Sequence, residues 1–174
     1  MAGTARGRRL VAPDGRDTRP TSDRVRESIF NALHSLDAVA GATVLDLFAG
    51  SGALGIEALS RGAAHCTFVE SSRQALAAIR ANLEGAALTA AATIDPRRAE
   101  SFLAMPSGRF DLALCDPPYT FDDWSALLAR LPATLAVCES DRAIDLGEGW
   151  VAIRTRRYGG TVVTFGRSAG PDGT

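Results

Sequence analysis

The sequence predicts an α/β protein whose mostly parallel sheet is covered by helices on both faces. Three observations predict it. Apolar runs of strand length alternate with helically spaced segments, a Gly-rich turn follows the first strong run, and successive runs end on Asp46, Glu70 and Asp116. Strand–helix alternation implies right-handed crossovers, and ligands of such sheets bind beyond the carboxyl ends of the strands.

The elements follow in order. Residues 7–12 (GRRLVA) form a short strand ahead of the turn-rich Pro13-Asp14-Gly15. From Thr21 to about Leu36, Val25, Ile29, Leu33 and Leu36 recur at helical spacing, with Thr21 or Ser22 as cap after Pro20. ATVLDLF (42–48) is a strand, ALGIEALSR (53–61) a helix closed by Gly62, and HCTFVE (65–70) a second strand. Ser71 or Ser72 caps a helix running through Leu83. LTAAATI (88–94) is a weaker strand, followed by a short helix near 98–105. FDLALCD (110–116) is a fourth strand, Asp122 caps a helix to Leu131, and ATLAVCE (133–139) is a fifth. GWVAIRTRRY (149–158) and TVVTFGR (161–167), joined by Gly159-Gly160, read as a hairpin.

The length of 174 residues fits a single domain with a substantial core. Its 46% apolar and 22% charged residues are ordinary for a globular chain. No segment approaches the ~18 apolar residues of a membrane span, and no basic-then-apolar leader opens the chain. The expectation is a cytoplasmic monomer without membrane association. Cys66, Cys115 and Cys138 lie far apart in apolar stretches and form no ligand pattern with His34 and His65, so buried reduced thiols, and no metal site, are expected.

All 19 basic residues are arginine. Arg6, Arg8, Arg9, Arg16, Arg19, Arg24 and Arg26 crowd the first 26 positions, and Arg154, Arg156, Arg157 and Arg167 lie near the end with no acid between them. Planar guanidinium forks suit phosphates and stack on bases. Two basic flanks around a near-neutral centre point to a nucleic-acid-facing edge.

Two motifs carry chemistry. The first is Val44-Leu45-Asp46-Leu47-Phe48-Ala49-Gly50-Ser51-Gly52-Ala53-Leu54-Gly55. Its glycines let the backbone approach a ligand at a helix N-terminus. Gly50-x-Gly52-x-x-Gly55, with Glu70 placed 20 positions beyond Gly50, suits a nicotinamide or flavin dinucleotide as well as S-adenosylmethionine. Asp46 separates them: a carboxylate ahead of the glycines repels a pyrophosphate but suits an ammonium and a sulfonium, unless it merely caps the turn. Glu70 has oxygens for both ribose hydroxyls.

The second motif is Asp116-Pro117-Pro118-Tyr119. An aromatic amine is a poor nucleophile because its lone pair is delocalised into the ring. The Asp116 carboxylate and the Pro117 carbonyl can accept its two hydrogens and free that lone pair. The two prolines offer no amide N–H, so the edge is stiff and acceptor-rich. Tyr119 can stack on a base taken out of its helix.

With these motifs the chain resembles the class I methyltransferases, and specifically the 16S ribosomal RNA guanine-N2 methyltransferase family of the RsmD type. The most specific carrier of the resemblance is Thr18-Arg19-Pro20-Thr21-Ser22-Asp23-Arg24-Val25-Arg26-Glu27-Ser28-Ile29-Phe30-Asn31, and the likeness runs from about Gly3 to Arg167. It implies a Rossmann-like core over 41–167 behind an Arg-rich extension over 1–40, with seven strands, the last inserted antiparallel. It implies S-adenosylmethionine held by Asp46, Phe48, Ala49, Gly50, Ser51, Gly52, Glu70, Ser71, Arg98 and Ala99. Asp116, Pro117, Pro118 and Tyr119 would then hold the target base. Arg6, Arg8, Arg9, Arg19, Thr21, Arg24 and Arg26 would face 16S RNA, within an assembling small subunit. One departure concerns the adenine loop, where many relatives carry an acid or amide and this chain has Arg97-Arg98-Ala99. An arginine cannot accept the adenine amino hydrogens, which leaves Asp95, a backbone carbonyl or a displaced loop. Adenine-N6 methylation of DNA or RNA and dinucleotide-dependent oxidoreduction are the rival activities.

Overall fold

A computed structural model of the chain describes residues 23–105 and 108–170. The expected strand at 7–12 and the helix caps Thr21 and Ser22 lie outside the described residues. In chain order the elements are α1 (Asp23–Ser35), β1 (Thr43–Asp46), α2 (Ala53–Ser60), β2 (His65–Val69), α3 (Arg73–Ala86), β3 (Ala92–Asp95), α4 (Ala99–Leu103), β4 (Phe110–Cys115), α5 (Trp124–Ala129), β5 (Ala133–Ser140), β6 (Trp150–Tyr158) and β7 (Thr161–Ser168).

The seven strands of the described residues form one sheet in the order β3-β2-β1-β4-β5-β7-β6. The first five are mutually parallel, with Val44 opposite both Cys66 and Leu112. β7 runs antiparallel to its neighbours β5 and β6. Composition explains why β7 lies inside and β6 outside. TVVTFG is apolar on both faces and buries Val162, Val163 and Phe165, whereas β6 carries three arginines suited to an edge.

The two core clusters flank the sheet. One joins α1, α2 and α3 to Val44, Cys66, Phe68, Leu112, Leu114, Val137, Val163 and Phe165. The other joins α4 and α5 to Leu45, Leu47, Ala113, Cys115, Ala136 and Cys138. All three cysteines are free and buried.

Two expected elements differ. Residues 88–94 begin as a 3-10 turn (Thr89–Ala91), and the strand forms only at Ala92–Asp95. Ala87, in left-handed conformation with φ 58°, ends α3, and the Leu88 N–H still bonds back to the Leu83 carbonyl at 3.0 Å. Those residues are therefore spent on turning the chain. Asp122 does not cap the next helix. α5 starts after Asp123 without a side-chain cap, and the Asp122 carboxylate is taken by Arg142.

Candidate active site

The site lies where β1, β2 and β4 end side by side. Asp46 is buried at the tip of β1, and its Oδ2 accepts the Gly55 N–H at 2.9 Å. The acid thus ties the strand end to the first turn of α2. Burial pushes its carboxyl up to about 7; the Gly55 N–H opposes this, and the charges of Asp116 and Glu70 add to it. At the tip of β2, Glu70 Oε2 accepts the Gly50 N–H at 2.9 Å, while Oε1 accepts the Ser71 and Ser72 N–H groups, each at 2.7 Å. The Gly50–Gly52 loop is further fixed by Asn82, whose Nδ2 donates to the Ser51 carbonyl at 2.9 Å.

Gly50 and Gly52 have φ of 53° and 80°, a region that side-chain-bearing residues rarely adopt. Among the described residues, a Cβ at Gly50 would meet nothing within 4 Å, so they leave the loop open on that side. Three carboxylates converge here, and among the described residues no guanidinium pairs with Asp46 or Glu70. Such a donor set fits a ligand that brings its own positive charge and disfavours a pyrophosphate.

The Asp116–Tyr119 loop follows β4 and is clamped from just beyond the end of β5, its parallel neighbour. Arg142 donates from Nη1 to the Tyr119 carbonyl at 3.1 Å and from Nη2 to the Phe121 carbonyl at 3.0 Å. The same guanidinium pairs with Asp122 and, at 2.6 Å, with Asp141. The Tyr119 hydroxyl shares a 3.2 Å hydrogen bond with Thr161 Oγ1, at the start of β7. Phe121 packs on Phe48 of the glycine loop, with centroids 5.8 Å apart, and meets Trp124 edge-on at 5.3 Å. Aromatic packing therefore joins the two motif loops.

The structure brings Asp46, Phe48, Ala49, Gly50, Ser51, Gly52, Glu70, Ser71 and the Asp116–Tyr119 loop to one end of the sheet. Arg98 is exposed just before α4, and Ala99 is buried as the first residue of that helix. Both Asp95 oxygens accept from Arg97, at 2.7 and 2.6 Å, and this bond holds the Asp95 carboxyl below the usual range.

Of the expected RNA-facing residues, Arg6, Arg8, Arg9, Arg19 and Thr21 lie outside the described residues, and Arg24 is exposed. Arg26 is buried, with Asp23 at 2.7 Å and Glu57 at 3.6 Å, so its guanidinium pins α1 to α2. The sequence carried the signal, since Arg26 stands four and seven positions before Phe30 and Leu33 on the same buried stripe. Arg142, Thr161, Phe121 and Asn82 were missed. Their partners in the site are 20 to 73 positions away, beyond the reach of local pattern.

The strand order, with five parallel strands and an antiparallel terminal hairpin, and the likeness to a solved methyltransferase define a class I methyltransferase fold. The chain belongs to the family described as Conserved hypothetical protein 95, the RsmD-type methyltransferases, whose profile matches residues 1–167. A Bacillus subtilis protein named "Putative rRNA methyltransferase YlbH" is 38% identical over 183 residues, covering 98% of each chain. The Escherichia coli ribosomal RNA small subunit methyltransferase D is 44% identical over 120 residues, 68% of this chain and 59% of that one. A solved structure, "Putative methyltransferase yhhF from Escherichia coli", superposes with a TM-score of 0.83 at 34% identity, covering 97% of this chain and 96% of the other.

Proposed function

We propose that this chain methylates the exocyclic N2 of a guanine in small-subunit (16S) ribosomal RNA, using S-adenosylmethionine, as a cytoplasmic monomer acting on the assembling small subunit. Family membership and relatives named as ribosomal RNA methyltransferases support RNA methylation. The observation that carries the site assignment is the gathering of Asp46, Glu70 and Asp116 at the carboxyl ends of the adjacent parallel strands β1, β2 and β4.

Bound S-adenosylmethionine would supply a methyl group already activated on a sulfonium. Asp46 and Glu70 offer it negative charge, with Glu70 retaining lone-pair capacity for ribose hydroxyls. The Gly50–Gly52 backbone allows close approach, and Ser71, Arg98 and Ala99 flank the expected adenine side. Because Asp95 is committed to Arg97, a backbone carbonyl of that loop is the better acceptor for the adenine amine.

Asp116 and the Pro117 carbonyl accept the two hydrogens of the guanine amine, draw its nitrogen out of conjugation and direct its lone pair at the methyl group. The proton then leaves through the carboxylate. Pro118 stiffens the edge, and Tyr119, held by Thr161 and Arg142, stacks on the flipped base. The reaction is direct and positional, with no covalent enzyme intermediate.

The test supplies labelled S-adenosylmethionine and unmethylated small subunits, then maps the modified base. Label in guanine N2 is expected; label in adenine would overturn the substrate assignment. Asp116→Ala should lower kcat by roughly 10²- to 10⁴-fold while S-adenosylhomocysteine still raises its melting temperature. Wild-type turnover by that variant would refute Asp116 as the amine acceptor.

A further inference from the structure

We infer that the groove between α1 and β6 binds the ribose–phosphate backbone of the RNA strand flanking the target base, a reading that rests on RNA being the substrate. The groove encloses about 310 Å³ and is lined by Ser28, Asn31 and Ser35 of α1 with Arg154, Arg156 and Tyr158 of β6. Its chemistry is one-sided: cations on one wall, neutral hydrogen-bonding groups on the other.

The placement follows from register. Arg154 pairs across the ladder with Phe165, Arg156 with Val163 and Tyr158 with Thr161. Opposite residues in an antiparallel pair share a face, so both guanidiniums emerge on the α1 side, beside the core that Val163 and Phe165 enter. The irregularity between Ala152 and Arg154 sets that phase. Arg157, one position from each neighbour, emerges on the opposite face.

Pairing state separates these two arginines from the four that serve the fold. Arg26, Arg61, Arg97 and Arg142 each hold a carboxylate. Among the described residues Arg154 and Arg156 hold none, and the facing stretch of α1 supplies no acid to the groove. A charged edge strand resists unwanted strand pairing, but that task does not call for a facing row of amide and hydroxyl groups. A ribonucleotide backbone uses both walls: phosphates take the guanidinium forks, and 2′-hydroxyls meet Asn31 and the serine oxygens.

The groove also leads to the chemistry. Tyr158 at its end stands opposite Thr161, which holds the Tyr119 hydroxyl at 3.2 Å. A strand lying along β6 therefore arrives beside the Asp116–Tyr119 loop with its next base at hand.

The experiment compares wild type, Arg154→Ala/Arg156→Ala and Arg157→Ala for binding to transcribed small-subunit RNA across a salt series, with S-adenosylhomocysteine present. The double variant should bind about tenfold or more weakly, with a log–log salt slope shallower by about 1.4–1.8, while Arg157→Ala changes little. In methylation assays its KM for RNA should rise and its kcat at saturation should hold. Wild-type affinity and slope in the double variant would overturn the subsite, as would an equal loss in Arg157→Ala, which would mark a diffuse field. Because binding is read without turnover, a protein that binds RNA here yet methylates nothing would sink the proposed activity and leave the groove standing.

Discussion

Gly55 sits where α2 crosses β2, and its missing side chain decides how close helix and strand can come. A Cβ there would stand 2.4 Å from Phe68 Cε1 and 2.7 Å from Cys66 Sγ. Both neighbours are fully buried, so neither can swing aside. Gly55 also donates the N–H that Asp46 accepts, and overpacking at this position therefore displaces the acid at the cleft floor. Gly55→Ala should cost about 1–3 kcal/mol in denaturant unfolding. Its cost in the double variant with Phe68→Leu should be smaller than alone, because the shorter side chain vacates the clash. Additive losses would show that the methyl group is accommodated elsewhere.

At the scale of elements, the Asp116–Tyr119 loop is a short rigid edge whose shape depends on Arg142. One guanidinium satisfies the Tyr119 and Phe121 carbonyls and joins Asp122 to Asp141. This uses the planar fork, which an ammonium cannot reproduce. Arg142→Ala should lower kcat roughly 10- to 100-fold while S-adenosylhomocysteine affinity stays near wild type, because misplacement of a reacting group by about 1 Å has that effect. Arg142→Lys should be nearly as slow. Full recovery by lysine would mean that charge, not the fork, positions the loop.

This device was hidden from sequence reading, and the reason is physical. The alternation of apolar runs announced the strands and most helices because one face or both must be buried, and the acids at strand tips stood out because they end those runs. The Arg142 clamp links two loops through backbone carbonyls, which any residue supplies, so no pattern betrays it. Glu57 is an intermediate case. An acid inside ALGIEALS demands a cationic partner, yet only the fold reveals that Arg26 and Arg61 supply it.

At the scale of the whole molecule, the acids of the cleft couple global stability to pH. The Asp46 carboxyl is raised by burial from 3.8 to about 7, so between those limits the native protein binds a proton that the unfolded chain has released. Stability attributable to this group is present below about pH 4 and is lost as pH rises through about 7, at no more than about 1.4 kcal/mol per pH unit. Asp95, lowered by its bond from Arg97, and Asp111, lowered by the N–H and hydroxyl of Thr43, act with the opposite sign. Their stabilisation is lost only as pH falls below the ordinary carboxylate range, so Asp46 governs the interval from about 5.5 to 7.5. The ligand-free protein should therefore melt at a lower temperature at pH 7.5 than at pH 5.5. Asp46→Asn, which keeps an acceptor for the Gly55 N–H without titrating, should flatten that dependence. A cationic cofactor reverses the balance: its charge favours ionised Asp46, so binding expels the proton and affinity for S-adenosylmethionine should rise across the same interval. Calorimetric titrations at the two pH values, in buffers of different ionisation enthalpy, would report the released proton directly. A wild-type melting temperature that does not change over this range, together with binding that releases no proton, would place Asp46 in its ordinary ionised state, charged before the cofactor arrives, and would refute the proton linkage.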